Sequence, residues 1–557
     1  MQIALSALFN FACLYGVGSI VLIFFKDLNN NFNEKIFIKV TLGIFITAIF
    51  SLVVNFFYPI NIYVSNTLTI LFFIIGIFFF INEKNKKKFL LSLFFIILVS
   101  FVLIFKSSNV VDFALYHGPY ISILNHEKII FGLANIHFRF GHASLLQETQ
   151  AIFNNSLFYP NNFQTLTPVF YSTFLLLICE YLFNKKNFTE NIRLYVLHFF
   201  ILILLCTKIY RFNDFGNDLL PNIINLYIWT TCIQLTLDFK KYNNKGLTEY
   251  IIILLSFYLF CFFLKIQFLL SILPIVFIMI FLYKKINKKE IILFSTIFLL
   301  PIIILFLAKN IIVSGCLIYP LEKSCSKKIE WTSKNDISKS NPAEISIQSE
   351  AWAKGWPQRK NIDIEYKYFI NNFNWLDAWL SVHFKVILNK ILIPTTLMLI
   401  FLFFINFKNP KDFKFEKNLL KIFILSLFPL ILWFLKFPIY RYGYSTIYLS
   451  IFLILLFFIK PNNRTINTFR RIKGLGAFFI IIFIFLNILR IFSTETIPRW
   501  PYIYDTNHKK NILSKDKNFN IIIKNSPCFY TEEICTNYKL NKNLKIKKIN
   551  NHLFFYF

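Results

Sequence analysis

Charge is scarce in this chain of 557 residues: Asp, Glu, Lys and Arg together make up 16%, and there are only 14 Gly and 3 Met. A soluble surface needs roughly a quarter of its residues charged, so a water-soluble enzyme is excluded. No GxxxxGK[ST], HExxH or GxSxG occurs. That removes the phosphate-loop, zinc-hydrolase and serine-hydrolase signatures. Met1 is followed by no basic region and no small-residue cleavage site, and the first apolar run, roughly 3 to 25, is too long for a signal-peptide core. It is expected to stay as a membrane helix. No internal repeat is visible, which disfavours the repeat-built transporters.

What is present is apolar and aromatic: 56% hydrophobic residues, with 73 Phe and 27 Tyr. The apolar residues fall in runs of about 18 or more, long enough to cross roughly 30 Å of hydrocarbon. The expected fold class is an all-α integral membrane protein with about 14 transmembrane helices and large external loops. The expected organisation is N-terminal membrane helices over 1–105, a first large external loop over 106–165 and core membrane helices over 166–308. An external loop over 309–386, C-terminal membrane helices over 387–492 and an external tail over 493–557 complete it.

A net charge of +31 in a soluble protein would suggest nucleic acid, but no nucleic-acid partner is expected here. The lysines sit in short clusters between apolar runs, as cytoplasmic loops require, and alternate threading puts every cluster on one side. Both termini are then external, in a bacterial plasma membrane. Cysteine agrees: Cys316, Cys325, Cys528 and Cys535 all fall in external segments, whereas the other five lie inside spans. Four external cysteines permit three pairings, and close spacing favours Cys316 with Cys325 and Cys528 with Cys535.

Polar chemistry concentrates in the first external loop, where His117, His126, His137 and His142 gather half of the eight histidines. Asp112 follows the fourth span directly, so a carboxylate is held at the membrane rim beside Tyr116 and His117. The plainer reading of Asp112 is a helix cap. For His137, Arg139 and His142 the plainer reading is loop anchorage at the headgroups. The histidine spacing is not that of a known ligand motif; no cofactor is firmly implied, although a divalent metal is compatible. A second acidic loop carries Asp214 and Asp218 on the same side. Five of the eight tryptophans lie between 331 and 379, where indole suits an interfacial belt or the apolar face of a sugar. Arg441 and Lys265 sit at the external rim, either snorkelling to headgroups or binding phosphate.

The set Asp112, Tyr116 and His117, followed by GLANIHFRFGHAS, VSGCLIYPL, WAKGWP, YRYGY and SPCFY, resembles a family of bacterial multi-pass membrane proteins of no established activity. The wider architecture resembles the GT-C glycosyltransferases, which move a sugar from a polyprenyl phosphate or diphosphate to an extracytoplasmic acceptor. That resemblance implies a catalytic acid in the first external loop, matched by Asp112, and a second acidic residue in the next, matched by Asp214 or Asp218. Three extra helices precede the matching module. The chemistry fits from below: the donor brings its own leaving group, so the protein needs a carboxylate for the acceptor's proton and cations for the phosphate. The resemblance thus makes Asp112, Asp214 and Asp218 catalytic candidates, and His117 joins them through its place beside Asp112. Tyr116, His137, Arg139, His142, Lys265 and Arg441 are the substrate-binding candidates. The expected activity is an inverting transferase, with a polyprenyl-linked sugar donor and membrane lipids as partners. Competing readings are a lipid-linked oligosaccharide flippase, a small-solute transporter, and an O-antigen polymerase or ligase.

Overall fold

In the computed structural model the described residues are 2–28, 32–104, 112–142, 144–157, 162–184, 191–207, 216–332, 341–356, 365–397, 400, 417–459, 463–493, 512–516, 519–538 and 540–557. The chain is mostly helical. Among the described residues nine helices are long and apolar enough to cross a membrane, and three shorter apolar helices, Ile192–Thr207, Ile266–Phe281 and Gly474–Leu489, accompany them. The protein is therefore compatible with multi-pass insertion. Of the C-terminal membrane helices expected over 387–492, residues 398–399, 401–416 and 460–462 lie outside the described residues.

Asparagine starts several of these helices. The Asn61, Asn243 and Asn287 side chains accept from the backbone N–H groups of Val64, Gly246 and Glu290, satisfying donors that the first turn leaves open. Helices Gln2–Leu22, Phe32–Phe57, Leu166–Phe183, Leu219–Asp238 and Asn244–Leu264 build the interior. Phe37 lies at its centre, 5.0 Å from the Tyr227 ring and 5.2 Å from Phe174. Ile62–Ile81, Lys288–Ser314 and Lys417–Lys436 leave most of their surface outward, with Phe78, Ile292 and Phe428 exposed. Such an apolar exterior suits lipid rather than water. Gln2–Leu22 and Ile62–Ile81 touch at Gly16 and Gly76, where a Cβ on Gly16 would overlap the Gly76 backbone.

One short helix breaks the pattern. All eight residues of Leu145–Ile152 are buried, including the run Gln147, Glu148, Thr149 and Gln150. Ser144 caps it together with Gln147, and the Thr149 hydroxyl donates to the carbonyl of Ile44 on the second helix at 3.2 Å.

The tail departs from the all-α expectation. Strands β1 (Ile512–Asp516), β2 (Ile521–Lys524) and β3 (Ile534–Thr536) form one sheet, antiparallel then parallel. Strands β4 (Lys545–Ile549) and β5 (His552–Tyr556) form a hairpin in which Lys545 faces Tyr556. Its turn residues Asn550 and Asn551 have φ of 49° and 63°, the positive values that a tight two-residue hairpin requires. These lysine-rich segments carry only the expectation of an external tail, with no strands assigned. They are strands with one face packed. Strand β5 docks on the first loop, where Phe131 N–H donates to the Leu553 carbonyl and Phe555 N–H to the Phe131 carbonyl, each at 2.9 Å. Gly132, at φ 68°, permits this approach, since a Cβ there would overlap the carbonyl of Phe555. Disulfides join Cys316 to Cys325 and Cys528 to Cys535, the pairings that close spacing favoured.

Candidate functional site

Four helix ends converge at the face that carries the first loop and the tail. Asp112 leads into the turn Phe113–His117, and Asp218 directly precedes helix Leu219–Asp238. Lys265 follows helix Asn244–Leu264, and Arg441 is the second residue of helix Tyr440–Phe458. Their side chains meet. Arg441 Nη1 stands 3.5 Å from Asp112 Oδ2, and Arg441 Nε stands 3.6 Å from Asp218 Oδ2. Lys265 Nζ is paired with the other oxygen of Asp218 and lies 3.7 Å from the centre of the Tyr442 ring. Among the described residues the result is an alternation of two carboxylates and two cations. Asp112 is the most open of the four, its side chain 23% exposed against 14% for Arg441.

A polar ladder inside the helix packing holds Arg441 in place. Asn222 donates to the Arg441 carbonyl at 3.2 Å and accepts from the Ser445 hydroxyl at 2.6 Å. Asn225 donates to Ser445 Oγ at 3.0 Å and accepts from Ser271 at 2.7 Å, while Gln267 donates to the Tyr442 carbonyl at 2.6 Å. Buried amides and hydroxyls so satisfied fix one register between helices. Gly443 completes the arrangement, because any Cβ there would overlap the Trp433 indole. Sequence reasoning passed over Asn222, Asn225 and Ser445. The visible signal was two asparagines three residues apart within an otherwise apolar helix, LLPNIINLYIW.

Around this core stand the aromatic and imidazole candidates. The Arg139 guanidinium lies 4.5 Å from the Tyr116 ring centre, and Tyr116 rests against His117 with ring centres 4.2 Å apart. Burial pushes the Tyr116 phenol well above its usual range, and the carboxylates of Asp112 and Asp218 add to that. His117 is buried, which brings its imidazole down to about 4, although Asp112 and Asp218 pull the other way. Gln147 Nε2 lies 3.0 Å from His117 Nδ1. The Trp352 indole, 41% exposed, lies 5.5 Å from the Arg441 guanidinium.

Not every candidate converges. His137 is buried under the tail, its ring 4.6 Å from Tyr538, and burial lowers it to about 3. His142 contacts Tyr319 edge-on at 5.2 Å. Asp214 lies outside the described residues. Among the described residues no group of three or more His, Cys, Asp or Glu side chains is arranged to hold a metal ion. The tryptophans divide: Trp375 and Trp379 are buried, and Trp379 Nε1 donates to the Pro438 carbonyl at 2.6 Å, so they anchor the long loop rather than lie on a surface.

Fold and site together define a mostly helical protein compatible with multi-pass membrane insertion, with an ion-paired polar cluster at one end of its helices. Residues 1–448 match a family described as a domain of unknown function, DUF8201. The chain belongs to that family. No characterised protein and no solved structure matches it.

Proposed function

We propose that the protein is a GT-C-like, inverting glycosyltransferase that moves a sugar from a polyprenyl phosphate or diphosphate to an extracytoplasmic hydroxyl acceptor in cell-envelope glycan synthesis. The observation that carries this reading is the joining of Asp112 and Asp218 through Arg441, with Lys265 beside them, at one end of four helices. Cations at a membrane rim suit a lipid phosphate, and a guanidinium can hold two of its oxygens. Trp352, exposed beside Arg441, offers a flat apolar face to a sugar ring.

In this reading the donor phosphate takes Arg441 and Lys265 as partners, and Asp112, released from Arg441, accepts the acceptor's proton. The acceptor oxygen attacks the anomeric carbon from the face opposite the phosphate. The carbon to phosphate-oxygen bond breaks with its electron pair, leaving a lipid phosphate neutralised by the two cations, and the configuration inverts. Asp218 keeps the cations oriented between turnovers. A carrier would be expected to gather such groups near the bilayer midplane, whereas these stand at helix ends. The proposed location is the extracytoplasmic face of a bacterial plasma membrane, with both termini on that side.

Asp112→Asn keeps the shape of the side chain and removes the basic oxygen. Turnover with a polyprenyl-phosphate sugar should fall by about 10² to 10⁴ while donor binding survives. Arg441→Ala should weaken donor binding instead. Full activity in Asp112→Asn would overturn the assignment.

A further inference from the structure

We infer that Gln147 locks His117 as the neutral tautomer with its proton on Nε2, so that the imidazole offers a permanent N–H donor to an anionic oxygen of the bound lipid phosphate. The choice of phosphate as ligand rests on the function proposed above; the tautomer does not.

The orientation of one amide fixes the tautomer. The backbone N–H of Ser144 can only donate, and it does so to Gln147 Oε1 at 3.3 Å within the cap of helix Leu145–Ile152. That contact assigns the oxygen, so the atom 3.0 Å from His117 Nδ1 is the amide nitrogen. An amide N–H donates, hence Nδ1 must hold a lone pair. A neutral imidazole that accepts at Nδ1 carries its proton on Nε2.

Neutrality has its own causes. The ring is buried, and the charges acting on it come from several directions: Asp112 on its own segment, Asp218 before helix Leu219–Asp238, Arg139 from the turn Phe138–His142, and Lys265. The carboxylates favour a proton and the cations oppose it. Burial outweighs both, and the imidazole stays neutral well below pH 6. A donor with no charge of its own has a clear use here. Lys265 and Arg441 are already paired with Asp112 and Asp218, and a neutral N–H group can grip a phosphate oxygen without adding a charge to that cluster. Gln147 is a positioning residue, because it acts through His117.

Two measurements test this. With 15N-labelled histidine in the protein reconstituted in phosphatidylcholine nanodiscs, the His117 signal is identified as the one lost in His117→Asn. It should show a bare Nδ1 and a protonated Nε2 at both pH 6 and pH 8, without any ligand. A protonated Nδ1 at either pH would overturn the inference. Adding nanodiscs that carry a polyprenyl monophosphate should then shift Nε2, and binding without such a shift would overturn the role of donor. In Gln147→Glu the new carboxylate accepts from Nδ1, leaving Nε2 a lone pair when the ring is neutral. Affinity relative to wild type, a ratio that cancels the lipid's own titration, should drop about tenfold between pH 6 and pH 8. A flat ratio would also refute the role. Absence of binding by wild type would sink the phosphate reading itself, and the ligand-free spectrum tells that failure apart.

Discussion

Lys309 and Glu148 form an ion pair at 2.6 Å, and their side chains are 2% and 0% exposed. The second carboxylate oxygen accepts from the Ser51 hydroxyl at 3.2 Å, a neutral partner. Lys309→Met therefore strands a carboxylate in the interior, and the cheapest relief is uptake of a proton on folding. For a carboxyl that is ionised in the denatured chain with a pKa of about 4.3, neutralisation at pH 7 costs about 2.7 × 1.36, or roughly 4 kcal/mol. That agrees with the ~3 to 5 kcal/mol found when one partner of a buried pair is removed. At pH 5 the same sum gives about 1 kcal/mol, so the defect should shrink as the medium is acidified. The double variant Glu148→Gln with Lys309→Met removes both charges and should recover most of the loss. Denaturant titration in detergent, followed by circular dichroism at both pH values, reads all of this. A single variant that loses under about 1 kcal/mol at pH 7, or a defect unchanged at pH 5, would refute a dry, ionised pair.

Acid should destabilise the protein through His117 and His137, which burial lowers to about 4 and about 3 from an ordinary 6.5. Because the folded state resists protons that the unfolded state binds, stability is full above about pH 6.5 and falls toward pH 4, by up to ~1.4 kcal/mol per pH unit for each ring. His137→Gln should flatten that fall, and an unchanged slope would exclude its contribution. For the proposed orientation, an impermeant maleimide on intact cells should label Asp112→Cys and spare Lys87→Cys; labelling at 87 would reverse the map.

The site's members were each legible in the sequence as weak signals, yet their meeting was not. Asp112, Asp218, Lys265 and Arg441 stood out because each is charged beside an apolar run, a position that composition alone reveals. Which helices pack together depends on side-chain shape, as at Gly443 under Trp433 or Asn222 against Ser445, and periodicity does not encode it. The buried helix Leu145–Ile152 was read as loop because Gln147, Glu148, Thr149 and Gln150 look solvated in a hydropathy profile. Its cap, Ser144 with Gln147 three residues on, was in plain view and locates the helix start. The strands of the tail were hidden for a related reason: lysine at alternate positions marks a half-exposed strand as well as a disordered tail.

Convergence of the four charged side chains also constrains the threading. Besides the short helices Gly118–His126 and Leu145–Ile152, two long apolar ones, Leu166–Phe183 and Ile192–Thr207, separate Asp112 from Asp218, and two more, Leu219–Asp238 and Asn244–Leu264, separate Asp218 from Lys265. If each pair crosses and returns, all three residues end on one face, and an odd number of crossings in either interval would pull the ion pairs apart. Between Lys265 and Arg441 the same rule asks for an even number. Ile266–Phe281, Lys288–Ser314, the helical stretch from Leu376 and Lys417–Lys436 would supply four if each crosses, with the short helices Pro342–Ala353 and Tyr366–Ile370 staying on one side. Parity is thus tied to contact rather than to hydropathy. The face so defined also carries both disulfides: Cys316 follows Lys288–Ser314, and the tail that holds Cys528 has Phe529 N–H donating to the Ala114 carbonyl at 2.8 Å. Structural disulfides persist in oxidising compartments. Placing that face outside accounts for the cysteines and the lysine clusters with one assignment and suits the proposed lipid-phosphate donor, and maleimide labelling at positions 112 and 87 decides it.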